Sequence, residues 1–259
     1  MKTCIVTGGA SGIGLATARL LRGEGWKVAV FDRDERALRE GEYAAEHAAE
    51  HANVSWHRID ITDEASVLSM VAEIASREGG IAGLVNNAGV GIAKRFFDTG
   101  ADDMRRMFDV NVIGSFIVAK AVAAAMRDAG RGGAIVNLTS TAGQRGNLER
   151  SAYGSAKGAV IVLTQVMAVE LASLGIRVNA VSPGPVATPL VDGMHTPAMR
   201  ARWTALTPQH RYADPREIAT AIAFLLDDAR SSFITGHVLN VDGGLMAAGL
   251  MSIDPVAPA

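Results

Sequence analysis

The regular alternation of short β-branched runs with longer helical patterns constrains this chain more than any other feature of its sequence. The predicted strands span residues 3–7, 27–31, 54–59, 83–86, 134–138, 177–181 and 238–241. The predicted helices between them span residues 12–24, 35–52, 64–78, 101–129, 151–174 and 215–227. Because strand–helix–strand crossovers are right-handed, this order predicts an α/β fold with helices on both faces of a parallel sheet. We expect a doubly wound, three-layer α/β/α sheet of about seven strands.

Two segments depart from the alternation, although no linker or break in composition divides the 259 residues. Residues 183–213 carry five prolines and no strand pattern, which predicts a long loop with a short helix, bordering the substrate site. The tail, 245–259, is apolar and is expected to pack on the chain itself or on a partner. Because no boundary divides the chain, residues 1–259 are predicted to form a single domain. The motifs described below indicate that it is a dinucleotide-binding catalytic domain.

Composition excludes several classes of protein. A net charge of −2 argues against a strongly basic nucleic-acid binder, so we expect no nucleic-acid partner. The single cysteine, Cys4, excludes a disulfide framework and suits a reducing cytoplasm. Mean hydropathy is high at +0.19, yet the chain has no run of about 18 apolar residues, so we expect no membrane partner. Strands that are buried on both faces account for the excess of alanine, valine and isoleucine.

One motif on the second predicted helix imitates a metal site. His47, Glu50 and His51 match the H-x-x-E-H pattern of zinc proteases, and two histidines four residues apart share a helix face. The same run also fits a solvated helix rich in alanine and glutamate, and no third ligand accompanies it. We therefore expect no metal.

A glycine-rich turn follows the first predicted strand and opens the first helix. Gly8, Gly12 and Gly14 permit a tight turn and a close approach of the backbone to a diphosphate at the helix N-terminus. An ordinary glycine-rich turn is the alternative. Asp32 ends the second strand, where a carboxylate accepts hydrogen bonds from ribose hydroxyls and repels a 2′-phosphate. This favours NAD over NADP, although Arg33 could accommodate the phosphate and Asp32 could instead cap the next helix.

Tyr153 and Lys157 lie four residues apart at the start of a predicted helix and so share one face. A neighbouring ammonium group is expected to lower the pKa of the phenol from about 10 and to make it a better base. A tyrosine and a lysine four residues apart on an ordinary surface helix would give the same pattern without a catalytic role. However, Ser140 follows the strand 134–138, and ligands of open parallel sheets bind at the carboxyl ends of strands. The glycine turn, residues 86–89 and Ser140 are therefore expected at one edge.

The combined pattern resembles the short-chain dehydrogenase/reductase family over essentially the whole chain. The matching positions are Thr7–Gly14, Asp60-Ile61, Asn86–Gly89, Asn111, Ser140, Tyr153, Lys157, Pro183-Gly184 and Ile234–Gly244. The resemblance implies a Rossmann-type fold with Tyr153 as general acid/base. It also implies that Lys157 lowers the pKa of Tyr153 and binds the nicotinamide ribose, that Ser140 hydrogen-bonds the substrate oxygen, and that Asn111 positions a proton-relay water.

The resemblance further implies a dinucleotide site along the strand ends, with NAD as the expected cofactor and NADP less favoured. Its expected members are Gly8, Ser11, Gly12, Ile13, Gly14, Asp32, Asp60, Ile61, Asn87, Ala88, Gly89, Tyr153, Lys157, Pro183, Gly184, Val186 and Thr188. Family members usually form homotetramers through their two longest helices and last strand, and we expect the same here.

The expected activity is hydride transfer between NAD(H) and a secondary alcohol or ketone. The substrate pocket is predicted to be formed by 144–150, 90–92 and 185–210, and its mixed polarity suits a small polyol, sugar or cyclic alcohol. Within that pocket, His195 and Arg202 could instead be solvated loop residues. Two alternatives are a 3-ketoacyl-thioester reductase of the same family and a non-catalytic NAD-binding sensor.

Overall fold

The computed structural model describes residues 1–47 and 53–249, and its seven strands form one parallel sheet. The strands lie in the order β3-β2-β1-β4-β5-β6-β7. Their bounds are Thr3–Thr7 (β1), Lys27–Asp32 (β2), Val54–Arg58 (β3), Gly83–Asn86 (β4), Gly133–Leu138 (β5), Ile176–Pro183 (β6) and Val238–Val241 (β7). The predicted fold class, a Rossmann-type doubly wound sheet, is confirmed.

The helices occupy the connections that the sequence assigned to them. Their bounds are Gly12–Gly23 (α1), Glu35–His47 (α2), Glu64–Glu78 (α3), Ala101–Phe108 (α4), Ser115–Ala129 (α5), Ser151–Leu171 (α6), Pro189–Asp192 (α7), Pro197–Leu206 (α8), Pro215–Leu226 (α9) and Asp228–Ser231 (α10). The predicted helix 101–129 is interrupted, because a π-helical segment, Asp109–Gly114, joins α4 to α5. Short 3-10 turns lie at Phe96–Asp98, Thr141–Gly143 and Ala172–Leu174.

The long connection between β6 and β7 is more ordered than its prolines suggested. The part of it that was predicted to be a long loop, residues 183–213, contains two short helices, α7 and α8, where one was expected. The hydroxyl of Thr188 accepts a hydrogen bond from the amide of Val191, and that of Thr196 accepts one from the amide of Met199. A proline follows each threonine at the first helical position, where its missing N–H costs nothing. The prolines therefore start helices here.

Both faces of the sheet are covered, which explains the high mean hydropathy. Ile5 points into a core formed with α3, α5 and α6. Its neighbours Cys4 and Val6 point the opposite way, into a second core formed with α1, α2 and α9. All three side chains are fully buried, and burial raises the pKa of the Cys4 thiol above its usual range.

Two helical stretches, 101–129 and 151–174, are long and apolar enough to cross a membrane by length and composition. Polar residues interrupt both stretches, so neither contains an unbroken run of about 18 apolar residues. Val118, Val122 and Met126 of α5 pack against the sheet, as does Met167 of α6. Core helices of this kind meet the same criterion, so the two stretches are weak evidence for a membrane span.

The chain reverses direction across the sheet between β1 and β4. From β1 it proceeds outward through β2 and β3, and it then returns to β4 on the other side of β1. In open α/β sheets, a crevice forms at the carboxyl ends of the two strands flanking such a switch point. This position defines where the functional site is expected.

The His47–Glu50–His51 pattern lies outside the residues and side chains that the structure describes. Among the described residues, no group of three histidine, cysteine, aspartate or glutamate side chains could hold a metal ion.

Candidate active site

A cleft of about 360 Å³ opens at the carboxyl ends of β1 and β4. Eleven of the predicted cofactor residues line it, namely Gly8, Ser11, Gly12, Ile13, Asp32, Asp60, Ile61, Asn87, Ala88, Gly89 and Thr188. Further lining residues that the sequence did not assign to the cofactor are Phe31, Arg33, Ile59, Val90, Val110, Pro189 and Leu190. The structure thus brings together residues from several separate strand ends. We call this space the large cleft.

The glycines of the first turn are required by close backbone contacts. Gly8 has a φ of +61°, and a Cβ there would lie 2.8 Å from the Cα of Ala88. A Cβ on Gly14 would lie 2.1 Å from the carbonyl oxygen of Gly8, so this buried glycine permits helix packing and does not line the cleft. The side chain of Ser11 makes no capping hydrogen bond. The first amides of α1 are therefore left for an anion, as the phosphate groups of a dinucleotide require.

The glycine turn is tied to the segment after β4 by side-chain hydrogen bonds. Thr7 Oγ1 accepts hydrogen bonds from the amides of Asn87 (3.1 Å) and Ala88 (3.0 Å). In return, Asn87 Nδ2 donates to the carbonyl oxygens of Thr7 (3.0 Å) and Gly8 (2.9 Å). The two walls of the cleft are therefore held at a fixed separation.

Asp32 supports the turn and does not cap the following helix. Its Oδ2 accepts a hydrogen bond from the amide of Ala10, and its Oδ1 accepts one from the amide of Asp34, both at 3.1 Å. The cap of α2 is Asp34, whose Oδ1 accepts hydrogen bonds from the amides of Arg36 and Ala37. The helix-cap alternative for Asp32 is therefore wrong.

Asp60 and Ile61 lie at the end of the cleft beyond β3. Hydrogen bonds from Thr62 and the charge of Arg33 lower the pKa of Asp60 below its usual range. Ile61 is buried, and a Cβ on Gly114 would lie 2.8 Å from its side chain. The cleft floor here depends on a glycine of the π-helical segment.

A second cavity, of about 100 Å³, adjoins the end of β5 and shares Leu190 with the large cleft. We call it the small cavity. It is lined by the predicted Ser140, Tyr153 and Gly184, and by Gly91, Ile92, Thr141, Ala142, Asn147, Arg150, Pro185, Leu190, Val191, Met194, His195 and Trp203. Most of these belong to the three segments predicted to form the substrate pocket.

Some residues expected at the substrate lie elsewhere. Gln144 Nε2 donates to Ser182 Oγ (2.6 Å) and to Asn240 Oδ1 (2.5 Å), so its amide joins β6 to β7. Glu149, Met199 and Arg202 also do not line the small cavity. Arg202 is exposed, which agrees with the alternative that its side chain is solvated.

His195 is not a solvated loop residue. Its Nδ1 lies 2.9 Å from the hydroxyl of Tyr212, and its ring stacks in parallel on Trp203 with centroids 6.1 Å apart. Burial and the charges of Arg150 and Arg200 lower the pKa of the imidazole below its usual value of 6.5. At neutral pH His195 is therefore an uncharged wall of the cavity.

Tyr153 and Lys157 lie on one face of α6, as their spacing predicted, with Lys157 Nζ 5.9 Å from the centre of the phenol ring. Lys157 Nζ donates to the carbonyl oxygen of Leu138 at 2.8 Å. Burial lowers the pKa of Lys157 to about 8. Burial also raises the pKa of Tyr153, although a hydrogen bond with Ser140 and the charge of Arg150 act in the opposite direction. In the protein alone, the net shift is opposite to the expected one because desolvation outweighs these contacts.

Asn111 lies in the π-helical segment, where the sequence predicted an uninterrupted helix. Its Oδ1 accepts a hydrogen bond from the amide of Val90 (2.9 Å), and its Nδ2 donates to the carbonyl oxygen of Val90 (3.0 Å). A Cβ on Gly89 would lie 2.7 Å from Asn111 Oδ1 and 3.5 Å from Lys157 Nζ. Asn111 and Lys157 thus flank Gly89, and the Asn111 side chain holds the segment after β4.

Pro183 and Val186 line neither space. Pro183 ends β6 and pairs with Val241, whereas Val186 is buried and pairs with Ala213. A Cβ on Gly184 would lie 2.9 Å from the Cα of Asp242. These residues fix the backbone below the small cavity.

Similarity to known proteins shows which family the chain belongs to. The family model described as enoyl-(acyl carrier protein) reductase matches residues 8–246. The chain is 41% identical over 254 residues to a cis-4-hydroxycyclohexanecarboxylate dehydrogenase of Sinomonas cyclohexanicum, covering 95% of this chain and 97% of that protein. It is 40% identical to a 2,5-dichloro-2,5-cyclohexadiene-1,4-diol dehydrogenase of Sphingobium indicum, covering 95% and 97% of the two chains.

Solved structures give the same answer. Levodione reductase superposes with a TM-score of 0.89 at 34% identity, covering 96% of this chain and 98% of that one. ElxO with NADP bound has a TM-score of 0.87 at 31% identity, covering 95% and 99%. The chain belongs to the short-chain dehydrogenase/reductase family. Members of this family are NAD(P)-dependent oxidoreductases, and the relatives place this chain among enzymes that act on CH–OH groups.

We predict that Thr7→Val destabilises the protein, because valine leaves the amides of Asn87 and Ala88 without their acceptor. The free energy of unfolding, measured with urea at one protein concentration, should fall by about 1–3 kcal/mol. Thr3→Val is the matched control on the same strand. Thr3 Oγ1 is buried and has no hydrogen-bond partner within the described ranges 1–47 and 53–249, so its removal should cause no loss of stability. Equal losses in both variants would contradict the role given to Thr7.

Proposed function

We propose that this protein interconverts a cyclic secondary alcohol and its ketone, with NAD as the redox partner and Tyr153 as general acid/base. One observation carries the proposal: Tyr153 and Ser140 line a small, largely apolar cavity that adjoins the large cleft. A substrate in the small cavity would meet both hydroxyl groups beside a molecule held in the large cleft. The names of the two cyclic-alcohol dehydrogenases above support a ring as the substrate skeleton.

The large cleft fits a dinucleotide because it offers uncapped amides at α1 for phosphate and a carboxylate, Asp32, for ribose hydroxyls. The nicotinamide, when bound, supplies or accepts the hydride. For alcohol oxidation, Tyr153 accepts the hydroxyl proton of the substrate, and for ketone reduction it returns a proton to the carbonyl oxygen. Ser140 Oγ donates a hydrogen bond to the same oxygen and stabilises its developing negative charge.

Lys157 contributes by its charge and its fixed position. Its Nζ is held by the carbonyl oxygen of Leu138, so the ammonium group stays close to the phenol. When Tyr153 is deprotonated, the phenolate is stabilised by this buried cation more strongly than it would be in water. Asn111 assists indirectly by holding Val90 beside the site; its contact with a relay water remains a prediction.

Tyr153→Phe should lower kcat for a cyclic secondary alcohol by at least about 100-fold, because the proton acceptor is removed. The affinity for NADH, measured by fluorescence titration, should change little, since the phenyl ring still fills the same space. If the variant retained more than a few per cent of kcat, another group would be the acid/base.

Absence of turnover by the wild-type chain on a panel of alcohols and ketoacyl thioesters, with either cofactor, would favour the alternative of a non-catalytic NAD-binding sensor.

The preference for NAD rests on Asp32 at the end of β2, where a 2′-phosphate would be repelled. Asp32→Ala should lower the ratio of kcat/KM with NAD to kcat/KM with NADP by at least about tenfold, equivalent to ~1.4 kcal/mol. Asp34→Ala is the matched control, because it removes a neighbouring carboxylate that caps α2 and does not line the cleft. Unchanged selectivity in Asp32→Ala, or an NADP preference of the wild type, would refute the assignment.

We also propose a homotetramer assembled through α5, α6 and the last strand. Val162, Val166 and Val169 form an exposed apolar stripe along α6, and Ile113 and Phe116 are exposed near the start of α5. Ala121 and Ala123 of α5 are buried against the chain's own core. The valine stripe is therefore the better candidate for contact between subunits.

Light scattering should give about four times the 27.0 kDa chain mass. Val166→Glu should shift the protein to smaller species, because a charge in a buried apolar contact is unfavourable. Leu68→Glu places the same charge on an exposed position of α3 and should leave the mass unchanged. A wild-type mass of one chain would exclude the tetramer.

The remaining expectations concern the cell. A cytoplasmic location, and the absence of nucleic-acid and membrane partners, remain predictions from charge, cysteine content and composition. The free thiol of Cys4 is buried in the core, which supports the predicted cytoplasmic location.

A further inference from the structure

The small cavity contains the guanidinium group of Arg150. Arg150 lines the cavity and, within residues 1–47 and 53–249, forms no ion pair; its Nη1 donates only to the carbonyl oxygens of Ile92 (3.3 Å) and Glu149 (3.5 Å). The charge of Arg150 influences the pKa values of both Tyr153 and His195. The positive charge of Arg150 therefore affects two other groups that line the cavity.

The cavity also contains a buried hydrogen-bond donor on Asn147. Asn147 lines the same space, and its Nδ2 is buried with no partner among the described residues. Leaving a buried amide N–H without an acceptor is unfavourable, and native proteins seldom do so without a functional reason. An acceptor atom on the substrate would resolve it.

The remaining walls are neutral. No aspartate or glutamate lines the small cavity within the part of the chain that is described. His195 is uncharged at neutral pH, because burial and two arginines lower its pKa. Ile92, Met194 and Trp203 provide apolar contact. The cavity thus combines one cation, one free amide donor and walls suited to a hydrocarbon ring.

We propose that Arg150 and Asn147 together bind a carboxylate of the substrate, so that the preferred substrate is a ring alcohol carrying one carboxylate. This rests on the proposed function, in which Tyr153 and Ser140 receive the hydroxyl at the other end of the ring. A planar guanidinium matches the geometry of a carboxylate, and a single cation balances its single charge. A phosphate monoester, with a charge of about −1.5 to −2, would remain partly uncompensated.

The first test compares two ring alcohols that differ only in the charged group, 4-hydroxycyclohexanecarboxylate and 4-methylcyclohexanol, with NAD. The wild type should prefer the carboxylate. In Arg150→Met the ratio of the two kcat/KM values should fall by about 10- to 100-fold, mainly through KM for the carboxylate. The ratio is used because Arg150 also affects Tyr153, and that effect is common to both alcohols.

Arg95→Met is the matched control, because it removes the same charge from a side chain that is 82% exposed and outside the cavity. Its ratio should stay within about twofold of the wild type. Asn147→Leu should also lower the ratio, and it should not lower the melting temperature, since it removes an unsatisfied donor. Equal losses for both alcohols in Arg150→Met would overturn the proposal and show that Arg150 only positions α6.

A binding measurement separates this inference from the proposed function. Calorimetric titration with cyclohexanecarboxylate, which cannot react, should show binding to the wild type and a loss of about tenfold or more in Arg150→Met. Titration with cyclohexanecarboxamide should show weaker binding that is less sensitive to Arg150. Equal affinity for the two ligands would overturn the carboxylate site even if 4-methylcyclohexanol were oxidised. Selective binding of the carboxylate without any turnover would instead support the site and contradict the proposed chemistry.

Discussion

Parallel pairing of all seven strands is the constraint on which the site depends. Because the strands run in the same direction, their carboxyl ends lie along one edge, and the residues that follow them converge there. The register pairs Thr7 with Asn86, so the Thr7 hydroxyl meets the amides immediately after β4. Ser140 reaches the same edge because it follows β5, which pairs with β4. A slip of one residue between β1 and β4 would break these hydrogen bonds and separate the walls of the large cleft.

The buried environment of Tyr153 and Lys157 explains why their spacing alone does not describe their acidity. Desolvation disfavours the charged form of each group, so it raises the pKa of the phenol and lowers that of the ammonium. Both groups are therefore shifted toward neutrality in the protein alone. A pair in such surroundings responds strongly to any added charge, because the effective dielectric constant is lower than that of water. Arg150 already acts in this way, since its charge favours ionisation of the phenol.

The sequence predicts the sheet well because each strand carries a local signal. The strand Gly83–Asn86 and the helix Glu64–Glu78 have the predicted bounds, and the residues of the glycine turn meet at the predicted edge. The features that the sequence did not predict depend on contacts between residues far apart in the chain or on the burial of a side chain. Gln144 is held by Ser182 and Asn240, which are 38 and 96 residues away in the chain. The π-helical segment around Asn111 keeps a helical hydrophobic pattern, and the pKa of Tyr153 depends on burial that no spacing encodes.

The connection between β6 and β7 contributes residues to both spaces at the strand ends. Thr188 and Pro189 line the large cleft, Met194 and His195 line the small cavity, and Leu190 lines both. This segment is fixed by its own capped helices, α7 and α8, and by the contact of His195 with Tyr212. The groups proposed to handle the proton lie elsewhere, after β5 and on α6. Substitutions in residues 189–206 can therefore alter the shape of the small cavity without moving Ser140, Tyr153 or Lys157, whereas Arg150 and Asn147 line the same cavity as Tyr153, and the charge of Arg150 influences the pKa of that tyrosine.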